Sequence, residues 1–106
     1  MTHGIKAAAV ILMAAFIAGP AFAQAPGADT YKAKCAMCHG ADGLATTPIA
    51  KMKKVLSFKD PAMLKASDAQ FFASTKNGKG TMKGYNGILT DQQIKDVIAF
   101  IRTLQK

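Results

Sequence analysis

The residues best suited to chemistry in this chain are five in a row, Cys35 to His39, which read Cys-Ala-Met-Cys-His. Two thiols separated by two residues, with an imidazole directly after the second, form the motif through which c-type haem is attached. On one helical turn both thiols can reach the vinyl groups of a single porphyrin, and the next side chain then lies beneath the iron. The spacing therefore predicts thioether bonds at Cys35 and Cys38 and a proximal iron ligand at His39.

The motif has three other interpretations, and the sequence fits each of them less well. A thioredoxin-like redox pair expects a βαβ context and a low-pKa thiol at a helix start, and no strand-like run flanks the pair. A zinc site needs four ligands, but residues 24–106 contain no other Cys or His. A disulfide across so short a loop would remove little chain entropy and would leave His39 without a role. Haem attachment is the hypothesis that uses all three side chains.

The first 23 residues have the layout of a secretory signal. A basic start is followed by an apolar run from Ala7 to Ala18 and by an A-x-A cleavage site that ends at Ala23. Twelve apolar residues make about 18 Å of helix, which is short of a roughly 30 Å hydrocarbon core and argues against a retained membrane anchor. We predict cleavage after Ala23, export to the periplasm and a single monohaem domain over residues 24–106.

An iron bound to His39 needs a sixth ligand, and the other histidine of the chain lies in the predicted signal. Met82 is the predicted ligand, because it lies 43 residues downstream in a glycine-rich loop that can cross the far face of the porphyrin. A His/Met pair is the ligation expected of haem proteins that transfer electrons. Met63, Met52, a different donor and an open position remain alternatives, whereas Met37 lies inside the motif and cannot reach that face.

The predicted mature chain is small and strongly basic. The sequence has 14 Lys and Arg, of which only Lys6 precedes residue 24, and six acidic residues, all Asp, so residues 24–106 carry a formal charge of +7. A basic surface favours association with acidic partners. Nucleic acid is not expected as a partner, since no array of aromatic and basic residues suited to stacking bases is present. A domain of this size buries a limited share of its surface, so the haem is predicted to complete the core.

Helix signals place these groups in an all-α fold. A helix from Ala28 is expected to deliver the motif, and Ser67 and Thr90 each begin a capping box that starts a later helix. Residues 78–85 are expected to form a loop, and residues 50–66 have only a weak pattern that permits two short helical pieces. The last helix has one continuous apolar stripe, formed by Ile94, Val97, Ile98, Ile101 and Leu104.

With these features together, the chain resembles a small class I cytochrome c of the bacterial c5, c6 or c551-to-c555 kind over nearly all of residues 27–104. Gly27-x-x-x-Tyr31 before the motif resembles the family's N-terminal helix, and Val97 to Ile101 resembles its C-terminal helix, where an aromatic residue packs against that glycine. Pro48 and Met82 fall where the family places its proximal proline and distal methionine. Lys83 is a departure, because many members have proline directly after the methionine.

The resemblance implies a fold of three to five helices around one covalently bound haem, with the N- and C-terminal helices packed together. Pro48 lies where its carbonyl can accept a hydrogen bond from His39, and an ordinary loop proline is the alternative interpretation. The function that the resemblance implies is that of a non-enzymatic electron carrier, a periplasmic monomer that shuttles one electron between redox proteins.

The expected partners are an oxidase, a reductase or a reaction centre with an acidic docking surface, contacted transiently at a membrane complex, and Lys79 and Lys83 are the first candidates for steering. The alternatives are a haem enzyme or gas sensor with an open sixth position, a thiol–disulfide oxidoreductase, and a dedicated subunit of a larger redox complex.

Overall fold

The computed structural model describes residues 26–106, so the predicted signal and its cleavage site lie outside the described part. Residues 26–106 form helices and turns with two isolated bridges and no strand. No helix in this part is both long and apolar enough to cross a lipid bilayer. The six helices are α1 (Ala28–Lys34), α2 (Ala36–His39), α3 (Pro48–Lys53), α4 (Pro61–Lys65), α5 (Asp68–Asn77) and α6 (Asp91–Leu104).

The all-α prediction is confirmed, with one helix more than the three to five expected. The reason lies at Cys35, where φ of −119° separates α1 from α2 and divides what the sequence suggested was one helix. The other short helices, α3 and α4, follow Thr47 and Asp60, whose side chains accept hydrogen bonds from backbone N–H groups of the first turn. Each of these two helices has proline as its first residue, a position where the missing N–H costs nothing.

The first and last helices cross at very short range, as the resemblance implied. Gly27, which precedes α1, has φ of +91°, and a Cβ built there would lie 2.3 Å from the carbonyl oxygen of Asp96 in α6. One turn later the ring of Tyr31 packs on that of Phe100, with 5.1 Å between centroids. The absence of a side chain at Gly27 therefore lets the two backbones touch, and the aromatic pair fills the space beside the crossing.

The apolar stripe of α6 forms the centre of the core. Ile94, Val97, Ile98 and Ile101 are buried, and Leu104 is half-buried at the end of the same face. The capping boxes predicted at Ser67 and Thr90 are both present, so α5 and α6 begin where the sequence indicated. These helices pack against each other and, with α1, form the scaffold that holds the motif and the loop between α5 and α6.

Candidate haem-binding site

The Cys35–His39 motif lies at the end of the α1–α2 pair and is fixed from both sides. The buried Tyr31 hydroxyl donates to the carbonyl of Gly40, directly after the motif, at 2.6 Å. The Thr47 hydroxyl donates to the carbonyl of Cys38 at 3.1 Å and also accepts from the N–H of Ala50, so one side chain both caps α3 and holds α2. No disulfide joins the two cysteines, and Cys35 is the more deeply buried of the two.

The electrostatics of the motif differ from those of a redox-active dithiol. Burial and, to a smaller extent, the neighbouring Cys38 thiol together raise the pKa of the Cys35 thiol to about 11. Reactive C-x-x-C thiols have the opposite shift, toward a stable thiolate at neutral pH. Burial also lowers the pKa of His39, which favours the neutral imidazole that a metal ligand must be.

The imidazole of His39 is oriented by an aromatic ring. Its centroid lies 4.7 Å from that of Phe58 with 17° between the planes, which is a stacked arrangement. Its Nδ1 atom is buried and, alone among the buried side-chain nitrogen and oxygen atoms of residues 26–106, has no hydrogen-bond partner. The contact from His39 to the carbonyl of Pro48 is therefore not formed, and that prediction was wrong: Pro48 is instead the exposed first residue of α3.

The loop that carries Met82 is closed by hydrogen bonds within the loop and packs on the end of α5. The N–H of Lys79 and the carbonyl of Met82 pair at 3.0 Å, as do the reverse groups, which closes a tight turn between these residues. A Cβ built on Gly84 would lie 2.7 Å from the carbonyl oxygen of Lys76, so this part of the loop lies directly on the last turn of α5. The stretch predicted to be a loop is one, with Met82 held in a closed turn.

A second set of contacts brings this loop to the motif. The hydroxyl of Tyr85 donates at 2.9 Å to the carbonyl of Lys34, the residue before Cys35. Burial raises the pKa of this phenol, and the nearby Cys35 and Cys38 thiols raise it further, as expected if they lie close to the ring. The structure thus brings the Met82 loop beside the attachment motif although the two lie far apart in the sequence.

The other methionines differ in burial. Met37 is 73% exposed and Met52 is 77% exposed, so neither contributes its thioether to the interior of the described chain. Met63 and Met82 are both half-buried and pack against the core. Exposure therefore disfavours Met52 as the iron ligand. Exposure alone does not decide between Met63 and Met82 as the ligand.

The sequence did not identify Phe58, Thr47 or Tyr85 as residues of this site. Thr47 had a recognisable signal, since a threonine directly before a proline is typical of a helix start. Phe58 and Tyr85 had none, because an aromatic residue in an irregular segment is equally suited to core packing.

The side chains present fit haem c. Two cysteines with no disulfide between them suit thioether attachment, a neutral buried imidazole suits iron, and the half-buried thioether of Met82 lies on a loop that is hydrogen-bonded to the motif. Within residues 26–106, no three His, Cys, Asp or Glu side chains form a group that would hold a bare metal ion.

Comparison with known proteins agrees with this chemistry. The family described as "Cytochrome C oxidase, cbb3-type, subunit III" matches residues 22–101. A cytochrome c6 of Limnospira maxima is 37% identical over 82 residues, which cover 73% of this chain and 88% of the relative. The cytochrome c subunit of the quinone alcohol dehydrogenase of Gluconacetobacter polyoxogenes is 34% identical over 88 residues, but the match spans only 19% of that protein. Among solved structures, the KustC0563 c-type cytochrome is 26% identical with a TM-score of 0.69, covering 76% of this chain and 98% of that one.

The fold and the donor set are those of a haem protein that transfers electrons. The chain belongs to the c-type cytochromes, and within them it is a small monohaem cytochrome of class I with covalently bound haem c. Its partners are accordingly other redox proteins.

Proposed function

We propose that the chain is an exported one-electron carrier whose haem c is attached through Cys35 and Cys38 and whose iron is held by His39 and Met82. The observation that supports this most is the hydrogen bond from Tyr85 to the carbonyl of Lys34, because it brings the Met82 loop beside the attachment motif. The cytochrome c6 relatives match the chain over most of their own length, which supports a free carrier.

The residues around the site suit a carrier that does not rearrange between oxidation states. When bound, haem c supplies a single electron through the Fe(III)/Fe(II) couple, and methionine ligation raises its potential. The protein holds the motif through Tyr31 and Thr47 and holds the far loop through Tyr85, so both predicted iron ligands belong to segments fastened by hydrogen bonds. With His39 and Met82 both bound, the iron would have no coordination position left for a substrate.

The ligand assignment is tested on the exported holoprotein by its ferric spectrum. The long-wavelength band of methionine bonded to ferric iron is expected in the wild type and in Met63→Ala, and it is expected to disappear in Met82→Ala. Carbon monoxide should bind the reduced wild type slowly and reduced Met82→Ala quickly. A band that persists in Met82→Ala but disappears in Met63→Ala would assign the ligand to Met63, and rapid binding by the wild type would favour the haem enzyme or gas sensor.

Acidic redox proteins are the proposed partners because exposed lysines lie on the Met82 loop. Lys79 and Lys83 are exposed on the Met82 loop, and the ammonium of Lys83 lies 5.1 Å from the centre of the Tyr85 ring. Neither is in an ion pair among residues 26–106, where the pairs are Lys76–Asp91 and Arg102–Asp68.

Steering by these charges is tested with an anionic probe. The rate of oxidation by hexacyanoferrate(III) is expected to fall with rising salt, since salt screens the attraction. Lys79→Gln combined with Lys83→Gln should slow oxidation several-fold at low salt, whereas Lys106→Gln at the end of the chain is the matched control. Equal effects of the loop pair and of the control would show that these lysines do not steer.

Export and processing form a separate part of the proposal. Removal of residues 1–23, leaving one domain over residues 24–106, is supported by the three-part pattern of the leader. The protein isolated from the cell envelope should begin at Gln24 and have the mass of residues 24–106 plus one haem. A retained leader, or a mass equal to the bare polypeptide, would contradict this part.

A subunit of a larger complex is the second candidate, favoured by the match to the quinone alcohol dehydrogenase cytochrome subunit and by the name of the matching family. Size-exclusion chromatography of the envelope fraction distinguishes the two. A free carrier elutes at the size of one small chain, as a monomer, whereas a subunit elutes with a large assembly after detergent extraction.

A further inference from the structure

We propose that Asn86 is a site of spontaneous deamidation, in which water replaces the side-chain amide nitrogen and an acidic group forms beside the Met82 loop. The chain has two asparagines, and each of them precedes a glycine, in the pairs Asn77–Gly78 and Asn86–Gly87. Both asparagines are exposed, and both glycines have a positive φ, of +83° and +78°. Sequence and exposure therefore do not distinguish the two pairs, and the difference between them lies in how the backbone is held.

Deamidation at such a pair begins when the backbone nitrogen of the glycine attacks the side-chain carbonyl carbon of the asparagine. A bond forms between these two atoms, the bond to the amide nitrogen breaks, and ammonia leaves with the proton of the glycine nitrogen. Water then opens the resulting cyclic imide at either of its carbonyl carbons, which gives aspartate or isoaspartate. No electron is transferred, and water is the co-reactant. Glycine favours the reaction because it has no side chain that would hinder its nitrogen or restrict its backbone.

The peptide between Asn86 and Gly87 can take part in this reaction. Within residues 26–106, neither the carbonyl of Asn86 nor the N–H of Gly87 forms a backbone hydrogen bond, and a Cβ built on Gly87 would have nothing within 4 Å. The groups on either side are held: the N–H of Asn86 donates to the carbonyl of Lys76 at 3.0 Å, and the N–H of Ile88 donates to that of Tyr85 at 3.0 Å. This peptide can therefore rotate while the rest of the turn stays in place.

The peptide between Asn77 and Gly78 is held by its surroundings. Asn77 is the last residue of α5, and the N–H of Gly78 donates to the carbonyl of Ser74 at 2.9 Å. The backbone of Gly84 lies against the other side, since a Cβ built there would be 2.7 Å from the carbonyl carbon of Asn77. Attack by the Gly78 nitrogen requires that the end of α5 first opens, so the reaction waits for a local unfolding event. The structure thus protects Asn77 and leaves Asn86 reactive.

The product carries a new negative charge close to a basic side chain of the Met82 loop. Asn86 directly follows Tyr85, and the ammonium of Lys83 lies 5.1 Å from the centre of the Tyr85 ring. Because deamidation replaces a neutral amide with a carboxylate, the aged protein should elute before the original protein from a cation exchanger.

The first test ages the ferric holoprotein at mildly alkaline pH, where the glycine nitrogen loses its proton more readily, and then maps the products by mass spectrometry. Cleavage after Lys76 and Lys83 at mildly acidic pH places the two asparagines in different peptides. Aspartate and isoaspartate are expected at Asn86, and Asn77 should react about tenfold more slowly because a hydrogen bond must break first. In guanidinium, where neither pair is held, the two rates should be similar. Equal rates in the folded protein, or an Asn86 that reacts only after unfolding, would overturn the proposal.

The second test assigns the acidic form to one asparagine by substitution. Gly87→Ala should slow its appearance, because a methyl group beside the attacking nitrogen hinders the attack, and Asn86→Gln should abolish it. Asn77→Gln is the matched control and should age at the wild-type rate. An acidic form that appears equally fast in Asn86→Gln, or that disappears in Asn77→Gln, would refute the assignment to Asn86.

Discussion

The crossing of the first and last helices offers the sharpest test of the fold, through Gly27→Ala. Gly27 has φ of +91°, and an added Cβ would lie 2.3 Å from the carbonyl oxygen of Asp96 and 2.6 Å from the backbone nitrogen of Val97. These neighbours are backbone atoms inside α6, so they cannot rotate away. The substitution must push α1 off α6 and disturb the contact between Tyr31 and Phe100.

The loss in free energy of unfolding that we expect for Gly27→Ala has two separable parts. A side chain in a left-handed conformation costs about 1–2 kcal/mol, and insertion of a methyl group into a packed interface costs about a further 1–3 kcal/mol. We therefore expect a loss of about 2–5 kcal/mol in the free energy of unfolding. This is a large share of the roughly 5–15 kcal/mol that typically stabilises a domain.

Gly87→Ala provides the matched control, because Gly87 has a similar φ of +78° and nothing within 4 Å of an added Cβ. It should cost only the conformational part, about 1–2 kcal/mol. Guanidinium unfolding of the ferric holoprotein, followed by far-UV circular dichroism, measures both. If Gly27→Ala costs no more than Gly87→Ala, the close crossing does not stabilise this fold and the packing argument is refuted.

Substitutions at three further residues test individual hydrogen bonds, again by guanidinium unfolding. Tyr85→Phe leaves the carbonyl of Lys34 unpaired and should lower the free energy of unfolding by about 1–2 kcal/mol. It should also speed carbon monoxide binding, because the Met82 loop is released. An unchanged binding rate would contradict the role given to this hydrogen bond. Thr90→Ala removes the side-chain cap of α6 and should lower the free energy of unfolding by about 1 kcal/mol, whereas Thr90→Ser keeps a hydroxyl and should retain most of that stability. Equal stability of the two variants would show that the cap does not stabilise the helix. Arg102→Lys keeps the charge but loses the forked guanidinium contacts, including the 2.7 Å hydrogen bond to the carbonyl of Ala66. It should lower the free energy of unfolding by about 1–2 kcal/mol, and a loss below about 0.3 kcal/mol would mean that only the charge matters at this position.

The parts of the fold that were predicted correctly depend on neighbours in the sequence. The two capping boxes and the apolar stripe of α6 are read within one or two helical turns, so local pattern was sufficient. Residues 50–66 were not assigned, because their helices are only five or six residues long and too short for periodicity to appear. Their caps, a Thr or Asp followed by Pro, were the signal that was available.

The contact predicted from His39 to the Pro48 carbonyl failed for a different reason. The spacing between the two residues was compatible with it, but Pro48 became the first residue of a helix, and the buried nitrogen of His39 was left without a partner. The ring instead found Phe58. Distance along the chain limits which contacts are possible, and only packing chooses among them.

By itself, the sequence determined the chemistry whose parts are contiguous: the haem motif within five residues, the caps of α5 and α6, and the basic charge of the chain. The tertiary structure alone decided the contacts between distant segments. These are the close approach of the Gly27 backbone to α6, the hydrogen bond from Tyr85 to the carbonyl of Lys34, and the stacking of the Phe58 ring on His39. The physical reason is that the first group depends on bonded geometry and helix hydrogen bonding over a few residues. The second depends on which side chains fill the same volume once the helices have packed.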